Sequence, residues 1–275
     1  MSGCLLCGGR QFRPVICEGK WQYVRCSHCG LVFLSPQPAA AFLHEHYQDY
    51  LPADPEAVEA WRRLAAQVFA KSALLIQRSS RAPGRLLDVG CGYGFFLEQM
   101  ARCGWKVEGV EISATGRGYA GNVLGLKVSS RPLPRPDWPD ACYDAITLFY
   151  VIEHLPDPVA VLREAFRLLR PGGVLLLRWP HTTPIVTILK PWAQQLKLYQ
   201  APSHLFDFCP QTIYNMLDQL GFRQIRTTVC GWTRPAAKGA RLAALIFGGL
   251  GEKLASISRD RLLLPGVSKT TVALR

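Results

Sequence analysis

The stretch Leu86-Leu87-Asp88-Val89-Gly90-Cys91-Gly92-Tyr93-Gly94-Phe95-Phe96-Leu97 constrains this chain more than any other segment. An apolar run ends in a carboxylate, glycine recurs at every second position, and an apolar pattern of helical spacing follows. That order reads as strand, tight turn, helix. The glycines let backbone amides approach a ligand that a Cβ would hold away. A second apolar run, Trp105 to Val110, ends in Glu111, where a carboxylate can accept both hydroxyls of a ribose.

The alternation continues downstream. Ser113 caps a helix reaching toward Leu124, with Gly125 as its stop, and residues 126–129 form a short third strand. Four prolines between Arg131 and Asp140 exclude a regular helix there. A fourth strand over 143–149 leads into Tyr150-Val151-Ile152-Glu153-His154-Leu155-Pro156-Asp157-Pro158. A helix over 158–169 ends at Pro171-Gly172-Gly173, and 174–179 is the fifth strand. Residues 222–229 and 269–275 read as the sixth and seventh. Strands alternating with helices predict an α/β protein, a doubly wound parallel sheet with helices on both faces.

These segments together resemble motifs I to III of the class I S-adenosylmethionine (SAM) methyltransferases. The likeness is tight over residues 85–180 and looser to residue 275. It implies a Rossmann-like sheet of seven strands with an antiparallel last strand, and SAM as cofactor. It implies that Gly90, Gly92 and Gly94, behind Asp88, line the methionine and ribose while Glu111 holds the ribose hydroxyls. Ile112 would pack on adenine, and the Phe149 backbone would meet the methionine amino group. Many relatives carry an acid after the third strand to bind the adenine amine. This chain has Ser129-Ser130, so a hydroxyl, that of Ser130, takes the position.

Cys4-x-x-Cys7 and Cys26-x-x-Cys29 form two knuckles that can point four thiolates at one ion. With Gly8, Gly9 and Gly30 behind the knuckles and short strands between them, the spacing predicts a structural zinc ribbon over residues 1–35. Four protein ligands leave no open position for catalysis. A helical linker or cap, 36–84, closes with Arg81-Ala82-Pro83-Gly84, and its longest helix falls near 55–79. The transferase domain then covers 85–275, with insertions near 185–209 and 231–266. The ribbon, "CGLVFLSPQP" and "PSHLFDFCPQTIYNMLDQLGF" resemble a bacterial branch of small-molecule methyltransferases, which implies a small-molecule, sugar or lipid-linked acceptor.

Two histidines are candidates for the base. His154 ends the fourth strand, where ligands of open α/β sheets gather, and His204 follows in the first insertion. His181 is a weaker candidate at the end of strand five. Tyr47 and Tyr50 would close over the cofactor, and Trp192, Leu196, Leu198 and Tyr199 would cover the pocket.

A net charge of +12 suits nucleic acid, an anionic membrane face or an acidic substrate without choosing among them. An RNA methyltransferase using the ribbon and the basic surface is therefore the alternative, and a non-catalytic SAM-binding scaffold a second. Leu242 to Phe247, flanked by Lys238, Arg241 and Lys253, reads as a basic apolar helix suited to peripheral membrane contact through 236–258. Ten cysteines without a disulfide-like pattern, and no leader or spanning segment, point to a cytoplasmic setting, at most peripheral at the inner membrane face.

Overall fold

The computed structural model describes residues 3–80, 82–235 and 237–275. Met1, Ser2, Arg81 and Ala236, which fall in the expected ribbon, linker and basic apolar segment, lie outside the described residues.

The chain opens with three short strands, β1 (Phe12–Glu18), β2 (Trp21–Cys26) and β3 (Val32–Leu34), then α1 (Ala40–Gln48) and α2 (Pro55–Ser79). Asp54 starts α2 by accepting the Ala57 amide at 2.9 Å, and Pro55 adopts the helical φ in the first turn without wasting a donor. The main alternation follows: β4 (Arg85–Val89), α3 (Phe95–Arg102), β5 (Lys106–Val110), α4 (Ala114–Gly118), β6 (Val128–Ser129), β7 (Tyr143–Phe149), α5 (Pro158–Leu168) and β8 (Leu169–Trp179). The first insertion holds α6 (Thr183–Ile188), α7 (Lys190–Leu196) and β9 (Phe206–Asp207). Then come α8 (Pro210–Gln219), β10 (Arg223–Thr228), α9 (Lys238–Ile257) and β11 (Lys269–Leu274).

Seven strands pair in the order β10-β11-β8-β7-β4-β5-β6. β4, β5, β6, β7 and β8 run parallel, and β11 is antiparallel to both of its neighbours. From β4 the chain steps outward to β5 and β6, then returns to place β7 on β4's other side. The reversal opens a crevice at the carboxyl ends of β4 and β7, the place where open α/β sheets bind ligands.

Two local expectations change. The helix expected to reach Leu124 is α-helical only over α4, and Tyr119–Val123 closes it as a wider π turn. Gly116, Gly118 and Gly121 leave that stretch few side chains to enforce α geometry. The helix expected over 158–169 stops at Leu168, because Leu169 already pairs with Tyr143, and Gly172-Gly173 lies inside an 11-residue β8.

The small sheet has the order β1-β2-β3-β9, so its fourth strand comes from the first insertion. Val32 pairs with Asp207 and Phe33 with Phe206. The cysteine-bearing segment is therefore built into the body: Tyr23, Phe33 and Phe206 share one buried cluster with Leu148 and Trp179 of the large sheet.

Candidate active site

The turn after β4 has the left-handed geometry that its glycines permit, with φ of +72°, +55° and +81° at Gly90, Gly92 and Gly94. A Cβ on Gly90 would stand 2.3 Å from Val151 Cγ2. Glu111, at the end of β5, fixes this turn from the side. Its Oε2 accepts the Gly92 amide at 2.8 Å and its Oε1 the Ser113 amide at 2.7 Å. Each oxygen keeps a further lone pair. Asp88 is buried, accepts the Thr147 hydroxyl at 2.6 Å, and is pushed up to about 7 by burial, with Glu111 adding to the rise.

These groups border a cavity of about 760 Å³ roofed by α1 and α2. Asp88, Gly90, Gly92, Glu111, Ile112 and Phe149 all line it, as do Tyr47 and Tyr50. Among the described residues its lining carries four carboxylates and no lysine or arginine.

After β7, beside the glycine turn, a single 3-10 turn, Ile152–His154, brings a second group together. Tyr47 donates its hydroxyl to the Ser203 carbonyl at 2.6 Å, and His154 Nδ1 lies 2.8 Å from both oxygens. With the Tyr47 proton directed at Ser203, Nδ1 must carry its own proton to bond either oxygen. The Nε2 lone pair of His154 is thereby left free. His204 packs edge-on against His154 with ring centroids 4.7 Å apart. Burial lowers both imidazoles, His154 to about 4 and His204 to about 3, so both are neutral near pH 7.

Glu153 is the member that the sequence reading missed. It is 1% exposed, and neither carboxylate oxygen has a hydrogen-bond partner among the described residues. Burial pushes it up to about 8. Its carboxylate and the two imidazoles offer ligand atoms within 4.8 Å of one another, a donor set of a kind that can accept a divalent cation. The only hint in the sequence was its place beside His154 after a strand.

Other expectations are not met. Ser130 is exposed and outside the cavity lining, because β6 ends at Ser129 and the chain turns away. Ser129 Oγ instead binds Arg135 at 3.1 Å. Gly94 caps α3 rather than facing the cavity. His181 sits beside Trp179 outside the lining. Trp192 and Leu196 point to solvent, and Tyr199 stacks on Tyr23 at 4.4 Å, so among the described residues that insertion reaches the cavity through Gln200 and His204 alone.

The four cysteines converge at a separate place. Cys4 and Cys29, and Cys7 and Cys26, approach to 3.5 Å between sulfurs, and all four lie within 4.8 Å of one another. Thiolates around one tetrahedral ion at about 2.3 Å have nearly that spacing.

The model of a family described as a methyltransferase domain matches residues 60–227. The ubiquinone biosynthesis O-methyltransferase of Xanthomonas oryzae pv. oryzae is 36% identical over 113 residues, 39% of this chain and 47% of that protein. Its counterpart in Xanthomonas campestris pv. campestris is 36% identical over 110 residues, 37% and 46% of the two chains. The matched segment thus spans about half the length of these curated relatives. Two crystal structures share the fold. A SAM-dependent methyltransferase from Archaeoglobus fulgidus gives a TM-score of 0.56 at 19% identity, covering 81% of this chain and 100% of the other. The geranyl diphosphate C-methyltransferase of Streptomyces coelicolor A3(2) gives 0.58 at 16%, covering 86% and 100%. With a match over more than half its length, and with the glycine turn and Glu111 at the sheet's switch point, the chain belongs to the methyltransferase-domain family.

Proposed function

We propose that this enzyme methylates a small-molecule acceptor with SAM, and that His154 receives the acceptor's proton. The observation that carries the reading is one cavity with two chemically distinct walls. The Gly90–Glu111 wall fits the cofactor: left-handed glycines give close backbone approach, and both oxygens of Glu111 retain lone pairs for vicinal hydroxyls. Asp88 and Ile112 complete that wall, and Phe149 borders it. Bound there, SAM would supply an electrophilic methyl group whose positive charge disappears on transfer.

The remaining residues handle the proton. Tyr47 and Ser203 hold His154 through Nδ1 and leave Nε2 to accept from the acceptor. Glu153, pushed up to about 8 by burial, is protonated near pH 7, so the neutral imidazole stands beside an uncharged carboxyl. The burial that weakens the base also keeps it neutral and ready at physiological pH.

The lining supports a small acceptor over RNA. Among the described residues the lining offers no arginine or lysine to pair with phosphate, whereas Leu43, Trp61, Leu64, Leu133 and Leu155 offer apolar surface. A sugar or lipid-linked small molecule without phosphate fits that description, and the similar O-methyltransferase is named for ubiquinone biosynthesis. Zinc is the ion we assign to the four-cysteine cluster, on thiolate number and spacing.

Calorimetry with SAM and S-adenosylhomocysteine tests the reading directly. Saturable binding of both supports it, and no binding by the wild type would end it.

A further inference from the structure

We propose that α9 docks on an anionic bilayer surface, lying in the headgroup plane with the body of the protein behind it. The docking rests on this face alone and does not depend on the methyltransferase reading.

Exposed large apolar side chains number fifteen among the described residues, and seven of them fall within 242–262. Singly scattered ones are ordinary, but a cluster of this kind marks a contact surface. The helix geometry explains the exposure. α9 rests on the body through Gly248, Gly251 and Ala255, its only buried residues. Gly248 approaches Trp232 so closely that a Cβ would stand 2.6 Å from its side chain. At about 100° per residue, Leu242, Ile246, Leu250 and Ile257 fall on the opposite side of the helix, with Leu245 on its flank. Ile257 is 85% exposed and Leu242 57%. The face that this helix presents to water is apolar from Leu242 to Leu250 and again at Ile257, with Lys253 between them.

Charge selects the occupant. Arg234, Lys238, Arg241, Lys253, Arg259 and Arg261 are all exposed along the same segment. Its two acids are already paired, Glu252 with Lys71 and Asp260 with Arg226. A second copy seated on this face would set six cations against six. A bilayer with anionic headgroups meets the apolar stripe and the cations together, as in-plane amphipathic helices do. Among the described residues no helix is long and apolar enough to cross a membrane, so the contact is peripheral. The first insertion adjoins it: the loop after α9 touches α6 where Gly266 meets Ile185, and beyond that contact Ile188 and Trp192 stand exposed. Trp is a side chain suited to the headgroup level.

Co-sedimentation of the full chain decides the matter, using vesicles of phosphatidylcholine alone and of equal parts phosphatidylcholine and phosphatidylglycerol. We expect binding to the anionic vesicles at low salt, little to the neutral ones, and release as salt rises. The variant Leu242→Glu/Ile246→Glu/Leu250→Glu should bind at least tenfold more weakly. So should Lys238→Ser/Arg241→Ser/Lys253→Ser, which keeps the apolar stripe. Both alter exposed positions, and an unchanged melting temperature confirms that they fold. Failure of the wild type to bind anionic vesicles overturns the proposal. So does binding that both variants retain, or a dimer in light scattering that the apolar variant abolishes without any vesicle binding by the wild type.

Discussion

Tyr23, on the second strand of the cysteine-bearing sheet, donates its hydroxyl to the carbonyl of His204, 2.6 Å away. Glu18 on the preceding strand accepts the amides of Tyr199 and Ala201, at 2.8 and 3.0 Å. The segment that carries His204 into the cavity is therefore held by the cysteine-bearing sheet through these three bonds. A cysteine-bearing module that looks like an appendage in sequence braces the side of the cavity that carries His204. The cofactor wall belongs to β4 and β5, on the other sheet.

That asymmetry separates two effects of metal loss. The protein should contain one zinc per chain by elemental analysis. Cys7→Ser should raise the acceptor KM or lower kcat while SAM affinity changes by no more than about threefold, since the sites share no ligands. Tyr23→Phe should act in the same direction, leaving a buried carbonyl unpaired at a cost of about 1–3 kcal/mol. Equal loss of SAM binding in both variants would show that the two walls are not independent.

Glu111 holds the glycine turn and faces the cavity at once. Glu111→Ala should weaken SAM and S-adenosylhomocysteine alike by about 1.5–3 kcal/mol, the range for a charge-assisted bond, or tenfold and more in Kd. Gly90→Ala should abolish binding, because its Cβ would overlap Val151 at a φ that alanine resists. Calorimetry measures both, and an alanine at 90 that binds normally would mean the turn has another conformation.

The glycine turn, the five parallel strands and Glu111 could be read from sequence because each is a local pattern: an apolar run, a punctuating residue, an acid at its end. The pairing of Val32 with Asp207 could not. It joins strands of three and two residues across most of the chain, with no periodicity to announce it. Glu153 was hidden for a different reason. A glutamate after a strand normally reaches water, and only the 3-10 turn over Ile152–His154 turns it inward. Trp192 and Leu196 misled because aromatic and apolar residues in an insertion suggest a lid, whereas the chain uses Gln200 and His204.

Lys269 gives the fold a pH signature. Its fully buried amine donates to the Leu264 carbonyl at 2.7 Å and to that of Val267, and burial, with nearby Arg178, lowers it to about 7. The unfolded chain holds that proton up to the ordinary lysine range near 10.5. The neutral form is thus favoured by folding, and its contribution to stability is complete above the unfolded pKa. It is lost as pH falls toward 7, on the order of a few kcal/mol. Melting temperature should drop between pH 10 and pH 7 in the wild type and drop less in Lys269→Met. Parallel curves for the two proteins would mean that Lys269 is charged in the fold.

The division of labour at the acceptor wall predicts three distinct kinetic outcomes. His154 offers the free Nε2, so His154→Ala should lower kcat by about 10²-fold or more, with SAM affinity nearly unchanged. The Tyr47 hydroxyl bonds Nδ1 and the Ser203 carbonyl while its ring packs on His154, so Tyr47→Phe keeps the packing and should cost less, acting by loosening the imidazole. Its effect should appear as a rise in acceptor KM together with a modest fall in kcat. Glu153→Gln keeps the shape but removes the ionisable neighbour of the imidazolium. Burial holds Glu153 up to about 8, so it is neutral where His154 titrates, near 4; the variant should leave the acidic limb of the pH–rate profile in place and change the profile only near pH 8. His204→Ala distinguishes base from orienter by the same split. If His154→Ala keeps wild-type turnover, the proton leaves by another route and the cluster serves only to place the acceptor.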